Sequence, residues 1–489
     1  MRNKTCLGNR SDDTGKITPN SSLLILNFLL AVLLLSCPTK NSEPETDSVI
    51  VMDLTDAVTQ DGSAVIVPAD FAGFCHAGTS NNLDREYGIL DEAGTVWVHW
   101  DFSWSTIQPT QDIWDFSRFD GYVQRANTEG KKVIGMLLYD VNWVHTLNGN
   151  DPTGERRIWP NEIPYFCEYA VETVKRYNGK NGHGKVDAWL IWNEPDLAPR
   201  FWTGTQAEFF ALTKATAEAI RKLDETEDTH TALIGGVFTS TVSDSWITGL
   251  LGYENVKDLL DGVAFHPYSP GPASSAGMFS SFKQKVKPFG FEDKIWLNEM
   301  GYPTYSEKGA IPQGRYGTDQ WEGDMPRVTV QTFTLLAVAG ARNLTWYHLF
   351  DNVNRDNADS EDWFGLVWRK SADEWERKGG YWGYALCSKN LPGKICKKLD
   401  FPQALPALPK NIQNHYFEGS ASDGNRVLIV WNTDPLSEMD IRITLGGSNH
   451  KLWDVASGES SDIDNISTHT LYPANTGRKN LIFLTWNTK

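Results

Sequence analysis

Residues Val186–Asp196 read VDAWLIWNEPD, a short apolar run followed by polar and acidic residues. The apolar part, Ala188–Trp192, has the length and composition of a buried parallel strand. Asn193 and Glu194 follow at the point where such a strand would end. In parallel α/β barrels the catalytic side chains stand at the carboxyl ends of strands, so a carboxylic acid in this place indicates chemistry.

A second glutamate occupies the same kind of place later in the chain. Glu299 follows the apolar run Ile295–Leu297 in the segment KIWLNEMGYPT. One Glu after an apolar run is commonly a helix cap or a solvated loop residue, but two can face one another across the mouth of a barrel. Glycoside hydrolysis requires such a pair, one carboxyl protonated to donate to the leaving oxygen and one ionised to attack the anomeric carbon.

The segment 71–391 alternates between short apolar runs and stretches with helical spacing. The runs predict eight strands, at Phe71–Cys75, Val96–Trp100, Val133–Tyr139, Ala188–Trp192, Leu233–Phe238, Val263–Phe265, Ile295–Leu297 and Leu344–Phe350. This alternation predicts an α/β fold, a (β/α)₈ TIM barrel, with a doubly wound sheet as the alternative. Candidate site residues are spread over several strands, which favours the barrel because an open sheet gathers its site at one switch point.

The hydrophobic pattern of the sequence changes after Leu391. Short alternating runs such as RVLIVWNT and DIRITLG are separated by Asn, Gly, Ser and Asp clusters. This pattern predicts a C-terminal β-sandwich over 392–489, which we expect to support the barrel rather than to bind carbohydrate. Cys387 and Cys396 flank a turn in this region and could form a disulfide in an oxidising compartment.

The N-terminal segment 1–37 has the features of a signal peptide. An apolar run, Leu23–Leu35, follows several basic residues and is too short for a membrane span of about 20 residues. The run ends in Leu-Leu-Ser-Cys, which resembles a bacterial lipobox with Cys37 as the lipidated residue; an ordinary signal peptide is the alternative. Residues 38–47 are polar and predict a tether. We therefore expect an exported protein of the periplasm or cell surface, attached to the membrane only through a lipid anchor.

Composition excludes several classes of function. The 489 residues, 40% of them hydrophobic, can bury a large globular core. The formal net charge of −17 argues against binding nucleic acid, which requires clustered Lys and Arg. The sequence contains no CxxC or HExxH motif, so no metal is predicted. No cofactor is implied either, because a carboxyl pair is sufficient for the chemistry.

Three segments resemble the clan A glycoside hydrolases. WNEPDL followed by Phe201 and Trp202 resembles the acid/base segment, most like that of family 39, the family of β-xylosidases and α-L-iduronidase. VAFHPYS, residues 263–269, resembles the sixth strand with its His-x-Tyr, and NLTWYHLFD, residues 343–351, resembles the eighth strand with its Trp. The resemblance covers roughly residues 71–391. It also implies that a strand in 48–70 joins the C-terminal sandwich.

The resemblance implies roles for individual residues. Glu194 would be the acid/base and Glu299 the nucleophile. Asn193 would bind the 2-hydroxyl of the sugar. Tyr268 would donate a hydrogen bond to Glu299, and this bond would lower the pKa of that carboxyl. His266 would also belong to the site.

Further candidates stand at the ends of predicted strands. By the resemblance, Trp346 would form the floor of the sugar subsite that precedes the cleaved bond. His99 stands where the clan usually carries an Arg, and it would be a titratable donor whose charge is lost at high pH, lowering activity. Flat aromatic faces suit sugar rings, which makes further candidates of Trp100, Tyr139 and Trp143.

These observations lead to one hypothesis and two alternatives. The hypothesis is a retaining glycosidase that cleaves β-glycosidic bonds of a polysaccharide or its oligosaccharides by double displacement. One alternative is an endo-acting, β-glucanase-like clan A enzyme. The other is a catalytically inactive barrel that binds polysaccharide at the cell surface. The presence of both glutamates argues against the inactive barrel, because a binding protein has no use for a proton donor facing a nucleophile.

Overall fold

The computed structural model describes most of the chain beyond the N-terminal segment. The described residues are 49–55, 58–305, 320–321, 323–351, 360–400, 408–420, 424–474 and 476–488. The predicted signal peptide, Cys37 and the polar tether lie outside the described residues.

Eight parallel strands form a barrel, in the order in which they occur along the chain. They are Ala72–Cys75, Trp97–Ser103, Lys132–Leu138, Ala188–Ile191, Leu233–Thr239, Gly262–His266, Ile295–Trp296 and Leu344–Trp346. The first strand pairs with the eighth, and the Thr345 amide donates to the Leu297 carbonyl at 2.8 Å to join the seventh and eighth. The predicted (β/α)₈ barrel is confirmed. The doubly wound alternative is wrong, since the edge strands of an open sheet would not meet.

Helices cover the outer face of the barrel, and side chains of the strands themselves fill its interior. Every residue of the first, fourth, fifth and sixth strands is buried. The helices are Leu83–Glu92, Trp104–Ile107, Ser117–Thr128, Asn142–Leu147, Ile163–Arg176, Gln206–Glu227, Asp244–Leu251, Val256–Leu259, Pro272–Val286, Met325–Ala339 and Gly379–Asn390, with 3₁₀ turns at Lys287–Phe289, Ser360–Trp363 and Gly477–Asn480. None of the helices within the described ranges is long and apolar enough to cross a membrane.

Two antiparallel-rich sheets pack together after the barrel, as predicted for a C-terminal sandwich. The larger sheet contains, in spatial order, Val58–Ile66, Ile395–Asp400, Ile412–Glu418, Asn425–Asn432, Leu481–Asn487, Ser448–Trp453 and Ser460–Asp462. The smaller sheet contains Ile50–Asp53, Met439–Thr444 and Ile466–Leu471. The segment before the barrel therefore supplies one strand to each sheet. Cys387 and Cys396 are free, buried thiols rather than a disulfide.

The eighth barrel strand is shorter than its apolar run predicts. It ends at Trp346, so the predicted extension to Phe350 is wrong. The later apolar residues pair with a loop strand instead, where the Val367 amide donates to the Leu349 carbonyl at 2.8 Å. Four short strands outside the barrel sheet follow the seventh and eighth barrel strands. They are Thr304–Tyr305, Gln320–Trp321, Val367–Arg369 and Trp375–Arg377.

A buried ion pair holds the segment that follows the eighth strand. Lys378 Nζ donates to both carboxyl oxygens of Asp351 at 3.1 Å and to the Trp363 carbonyl at 3.4 Å. The two charged side chains are 1% and 0% exposed. Lys378 therefore contacts both Asp351 and Trp363. Glu361, two residues before Trp363, lines the cavity at the mouth of the barrel.

Substitution of Lys378 tests this arrangement. We expect Lys378→Met to lower the free energy of unfolding by about 3–5 kcal/mol, because the carboxylate of Asp351 remains buried without its ammonium partner. Denaturant unfolding measures this value. The matched variant Lys378→Met with Asp351→Leu removes both charges and should recover most of the loss. A loss below about 1 kcal/mol for Lys378→Met alone would contradict the role of this ion pair.

Candidate active site

The carboxyl ends of the barrel strands surround a cavity of about 330 Å³. The predicted site residues Glu194, Glu299, Asn193, Tyr139 and Tyr268 all line it. The other lining residues are His76, Asp101, Leu197, Arg200, Phe201, Thr239, Ser240, Thr241, Tyr347, Glu361 and Phe364. The mixture of carboxyl, hydroxyl and aromatic groups suits a ligand that has both hydroxyl groups and apolar faces.

Glu194 enters the cavity through a sharp turn at the end of the fourth strand. Trp192 and Glu194 have left-handed backbone conformations, with φ of 64° and 41°. Residues other than glycine rarely adopt this conformation. The Trp192 indole holds the turn by donating its N–H to the Phe201 carbonyl at 2.8 Å. Strain of this kind is typical of functional sites, where surrounding contacts hold one side chain in a required orientation.

Glu299 follows the seventh strand and accepts a hydrogen bond from Tyr268. The Tyr268 hydroxyl lies 2.7 Å from Glu299 Oε1, as the resemblance implies. This bond acts to lower the pKa of Glu299, as expected, but the net shift of that pKa is upward. Burial raises the pKa of Glu299, and this effect outweighs the positive charge of His266 and the hydrogen bond from Tyr268.

His266 lies between the two carboxyl groups. One carboxyl oxygen of Glu194, one of Glu299 and a ring nitrogen of His266 all lie within 4.8 Å of one another. His266 Nδ1 is 2.7 Å from Glu194 Oε1 and 3.9 Å from Glu299 Oε2. Burial opposes a charge on this ring, but the negative charges of Glu299 and Glu194 raise the pKa of His266 to about 9. The site therefore contains an imidazolium between two acids.

A histidine with two glutamates is also a conceivable set of metal ligands. A ligating histidine must be neutral and must keep one ring nitrogen free for the metal. Both nitrogens of His266 are occupied here, Nδ1 by Glu194 and Nε2 by Asn298 Oδ1 at 3.1 Å. The residues present fit a hydrogen-bonded carboxyl pair better than a metal centre.

Asn193 lines the cavity. Its Nδ2 donates to the Tyr139 hydroxyl at 3.4 Å. Its Oδ1 is buried and has no hydrogen-bond partner among the described residues. A buried acceptor without a partner is costly, so this oxygen is suited to accept a hydrogen bond from a ligand hydroxyl.

Trp346 is not part of the cavity surface, contrary to the prediction. The indole is fully buried and packs against Tyr302 and Tyr384. The next residue, Tyr347, lines the cavity instead. Side chains alternate between the two faces of a strand, so a shift of one residue at the strand end exchanges a cavity position for a core position.

His99 is buried beneath the cavity rather than exposed in it. Its Nδ1 lies 3.4 Å from the Cys75 sulfur. Burial, reinforced by the charges of His76 and His266, holds the pKa of His99 well below its usual value of 6.5. The ring is therefore neutral at ordinary pH. The expected loss of a His99 charge at high pH is wrong.

Two further aromatic candidates lie outside the cavity. Trp100 is buried, and its indole N–H donates to the Ala77 carbonyl at 2.5 Å. Trp143 is half-buried, donates to the Gln108 carbonyl at 2.9 Å, and lines a separate cavity next to the first. Position after a strand does not by itself decide which loop aromatics reach the centre of the mouth.

Sequence reasoning missed several lining residues. His76 follows the first strand directly, which is the same signal that identified Glu194. Asp101 directly follows the predicted second strand, Val96–Trp100, although the observed strand extends to Ser103, and burial raises its pKa. Both could have been found by listing polar residues at strand ends. Glu361 and Phe364 could not, because they lie far along the chain from the eighth strand and the sequence does not reveal that they return to the cavity.

Fold and site together form a (β/α)₈ barrel with two facing glutamates at its mouth, an arrangement that resembles the clan A glycoside hydrolases. The sequence model of the family described as "Glycosyl hydrolases family 39" matches residues 161–288. The matched segment contains Glu194, His266 and Tyr268. Glu299 lies beyond it.

Comparisons with individual proteins agree with this match. The chain is similar to a beta-xylosidase of Caldicellulosiruptor saccharolyticus, 36% identical over 104 residues, or 21% of this chain and 19% of the relative. It is also similar to a beta-xylosidase of Geobacillus stearothermophilus, 30% identical over 114 residues, or 22% of this chain and 21% of the relative. The matched segments thus span about a fifth of these curated relatives.

The whole-chain likeness comes from solved structures. A family 39 glycoside hydrolase from the gut symbiont Bacteroides cellulosilyticus WH2 superposes with a TM-score of 0.63, covering 86% of this chain and 81% of that one. The identity is 16%, so this comparison speaks for the fold. Together the matches confirm the resemblance to a clan A glycoside hydrolase, most like family 39.

The raised pKa of His266 predicts how stability depends on pH. A group whose pKa is about 9 in the folded chain and about 6.5 when unfolded stabilises the fold fully below pH 6.5 and loses that contribution as pH rises through 9. His145 behaves alike, since burial is outweighed by hydrogen bonds to Asp140 and Glu162 that raise its pKa to about 9. Each contribution is on the order of 3 kcal/mol.

Melting curves recorded from pH 6 to 10 measure this effect. We expect the wild-type midpoint to fall between pH 6.5 and 9, and both His266→Gln and His145→Gln to show a shallower fall. Comparison with the wild type at each pH separates the histidines from other groups that titrate in this range. Parallel curves for wild type and His266→Gln would contradict a charged His266.

Proposed function

We propose that this chain is a retaining glycoside hydrolase that cleaves β-glycosidic bonds of an oligo- or polysaccharide. One observation carries the proposal: carboxyl oxygens of Glu194 and Glu299 lie within 4.8 Å of each other. Retaining enzymes hold their two carboxyl groups about 5–5.5 Å apart, whereas inverting enzymes separate them by about 6.5–9.5 Å to leave room for a water molecule. One oxygen of each carboxyl within 4.8 Å is compatible with the shorter, retaining separation between the two groups, and it supports direct attack by one carboxylate.

The proposed reaction has two displacements. Glu299 attacks the anomeric carbon while Glu194 donates a proton to the leaving oxygen, so the glycosidic bond breaks and a covalent glycosyl ester forms on Glu299. Glu194, now ionised, then takes a proton from water, which attacks the same carbon and releases the sugar. Two inversions at one carbon restore the original anomeric configuration.

His266 and Tyr268 provide the charge balance that these steps need. Tyr268 donates to Glu299 Oε1 at 2.7 Å and stabilises the ionised nucleophile. The His266 imidazolium, 2.7 Å from Glu194 Oε1, stabilises the carboxylate that remains after Glu194 has given up its proton. Asn193, whose Oδ1 is unpaired among the described residues, is proposed to accept a hydrogen bond from the sugar 2-hydroxyl.

The substrate is proposed to be a saccharide with a β-linked terminal or internal unit. The curated relatives are named beta-xylosidases, which supports a β-linked sugar without deciding its identity here. An endo-acting clan A enzyme is the alternative of the same class. An inactive polysaccharide-binding barrel is less well supported, because burying two carboxyl groups together is costly and offers a binding protein no benefit.

Export is also part of the proposal. The apolar run and the Leu-Leu-Ser-Cys sequence support an exported protein attached through a lipid on Cys37 at the periplasmic or outer surface. Such a location would place the site where polysaccharides are available.

The stereochemistry of the product tests the mechanism. We expect the first-formed sugar to have the same anomeric configuration as the substrate, because both displacements occur at one carbon. Proton NMR during the first minutes of hydrolysis, before mutarotation, measures the configuration. An inverted first product would refute the retaining mechanism.

Replacement of each glutamate tests the two roles. We expect Glu299→Ala to reduce kcat on the order of 10⁴-fold or more and to be rescued by azide with an inverted glycosyl azide. Glu194→Ala should lose about 10²- to 10⁴-fold on substrates with poor leaving groups and far less on activated aryl glycosides, which need little protonation. Glu168→Ala, an exposed glutamate on the outer helix Ile163–Arg176, is the control. Equal losses on both substrate types for Glu194→Ala would contradict its role as acid.

A further inference from the structure

A second cavity, of about 600 Å³, opens beside the first at the mouth of the barrel. Segments that follow the second, third and fourth strands form it. Its polar and aromatic lining includes Asp140, Asn142, Trp143, Glu155 and Arg156. This size and composition lie within the usual range for small-ligand sites.

An aromatic wall of the first cavity, formed by Tyr139 and Phe201, adjoins residues that line the second. Tyr139 lines the first cavity, and Asp140, the next residue, lines the second. The Tyr139 ring is parallel to that of Phe201, with centroids 6.0 Å apart and an angle of 5° between the planes. Arg156, which lines the second cavity, places its guanidinium carbon 5.4 Å from the centre of the Tyr139 ring. A ligand that passes this wall would contact both cavities.

The polar groups of the second cavity are held in place from beneath. The fully buried His145 joins Asp140, at 3.1 Å, to the buried Glu162, at 2.9 Å. The Thr203 hydroxyl donates to Glu155 Oε2 at 2.5 Å. A buried histidine under one carboxylate fixes the position of Asp140, so the lining is organised before any ligand arrives.

We infer that the second cavity is a subsite for the leaving-group portion of a saccharide substrate, which requires at least one further sugar unit beyond the cleaved bond. This rests on the proposed glycosidase function. We assign the second cavity to the leaving-group side of the cleaved bond for one reason. The leaving oxygen lies next to the acid Glu194, and the 194–201 segment that carries Glu194 lines both cavities. Carboxylate, amide and guanidinium groups beside the Trp143 ring match the hydroxyls and apolar face of a sugar.

Kinetics on paired substrates tests the inference. The substrates are an oligosaccharide that the wild type hydrolyses and an aryl glycoside of the same terminal sugar, which lacks a leaving-group sugar. We expect Trp143→Ala to lower kcat/KM on the oligosaccharide about tenfold more than on the aryl glycoside, mainly through KM. Leu147→Ala, a 49% exposed residue on the same helix, Asn142–Leu147, is the matched control and should leave the ratio unchanged.

Exposed variants separate a local defect from a folding defect. Asn142→Ala and Arg156→Ala remove exposed side chains of the cavity and should shift the same ratio in the same direction as Trp143→Ala. If Trp143→Ala fails to fold, these two variants decide the matter. Unchanged ratios for all variants that fold, with an active wild type, would overturn the subsite. A wild type that hydrolyses neither kind of substrate would instead overturn the proposed function, and the subsite with it.

Discussion

The structure depends on one electrostatic constraint: two carboxyl groups, Glu194 and Glu299, share a buried space in which an oxygen of each lies within 4.8 Å of the other. Repulsion and desolvation both oppose this arrangement. His266 reduces the free-energy cost of this arrangement. Its positively charged ring, 2.7 Å from Glu194 and 3.9 Å from Glu299, offsets part of the repulsion and part of the desolvation. The same low-dielectric surroundings that make the pair costly also strengthen its action on a bound substrate.

The barrel supplies the rigidity that this constraint demands. Closure through the first and eighth strands brings residues distant in sequence to one rim, and the left-handed turn at Trp192 and Glu194 directs the acid inward. On the opposite side of the barrel, after the eighth strand, the Lys378–Asp351 pair similarly holds the residues next to Glu361 in place. In both places a locally unfavourable feature, strain or a buried charge, is held by the packing around it.

Loops, rather than strands, set the shape of the space around the carboxyl pair. Tyr139 and Phe201 come from the loops after the third and fourth strands, and their stacked rings line the first cavity beside residues that line the second. A common barrel can therefore keep its chemistry at the strand ends while the loops decide how many sugar units are bound. This division explains how residues with similar positions in sequence, such as Tyr139 and Trp143, come to line different cavities.

The sequence by itself determined the strand–helix alternation, the change to a sandwich after Leu391, and the two glutamates with Asn193, His266 and Tyr268 beside them. Local periodicity and position after an apolar run are sufficient for these, because they depend on neighbours in the chain. Only the tertiary structure decided that Tyr347 replaces Trp346 at the cavity, that His266 is charged while His99 is neutral, and that Glu361 reaches the mouth. Burial and distances between remote segments control those features, and neither is encoded in any short stretch of sequence.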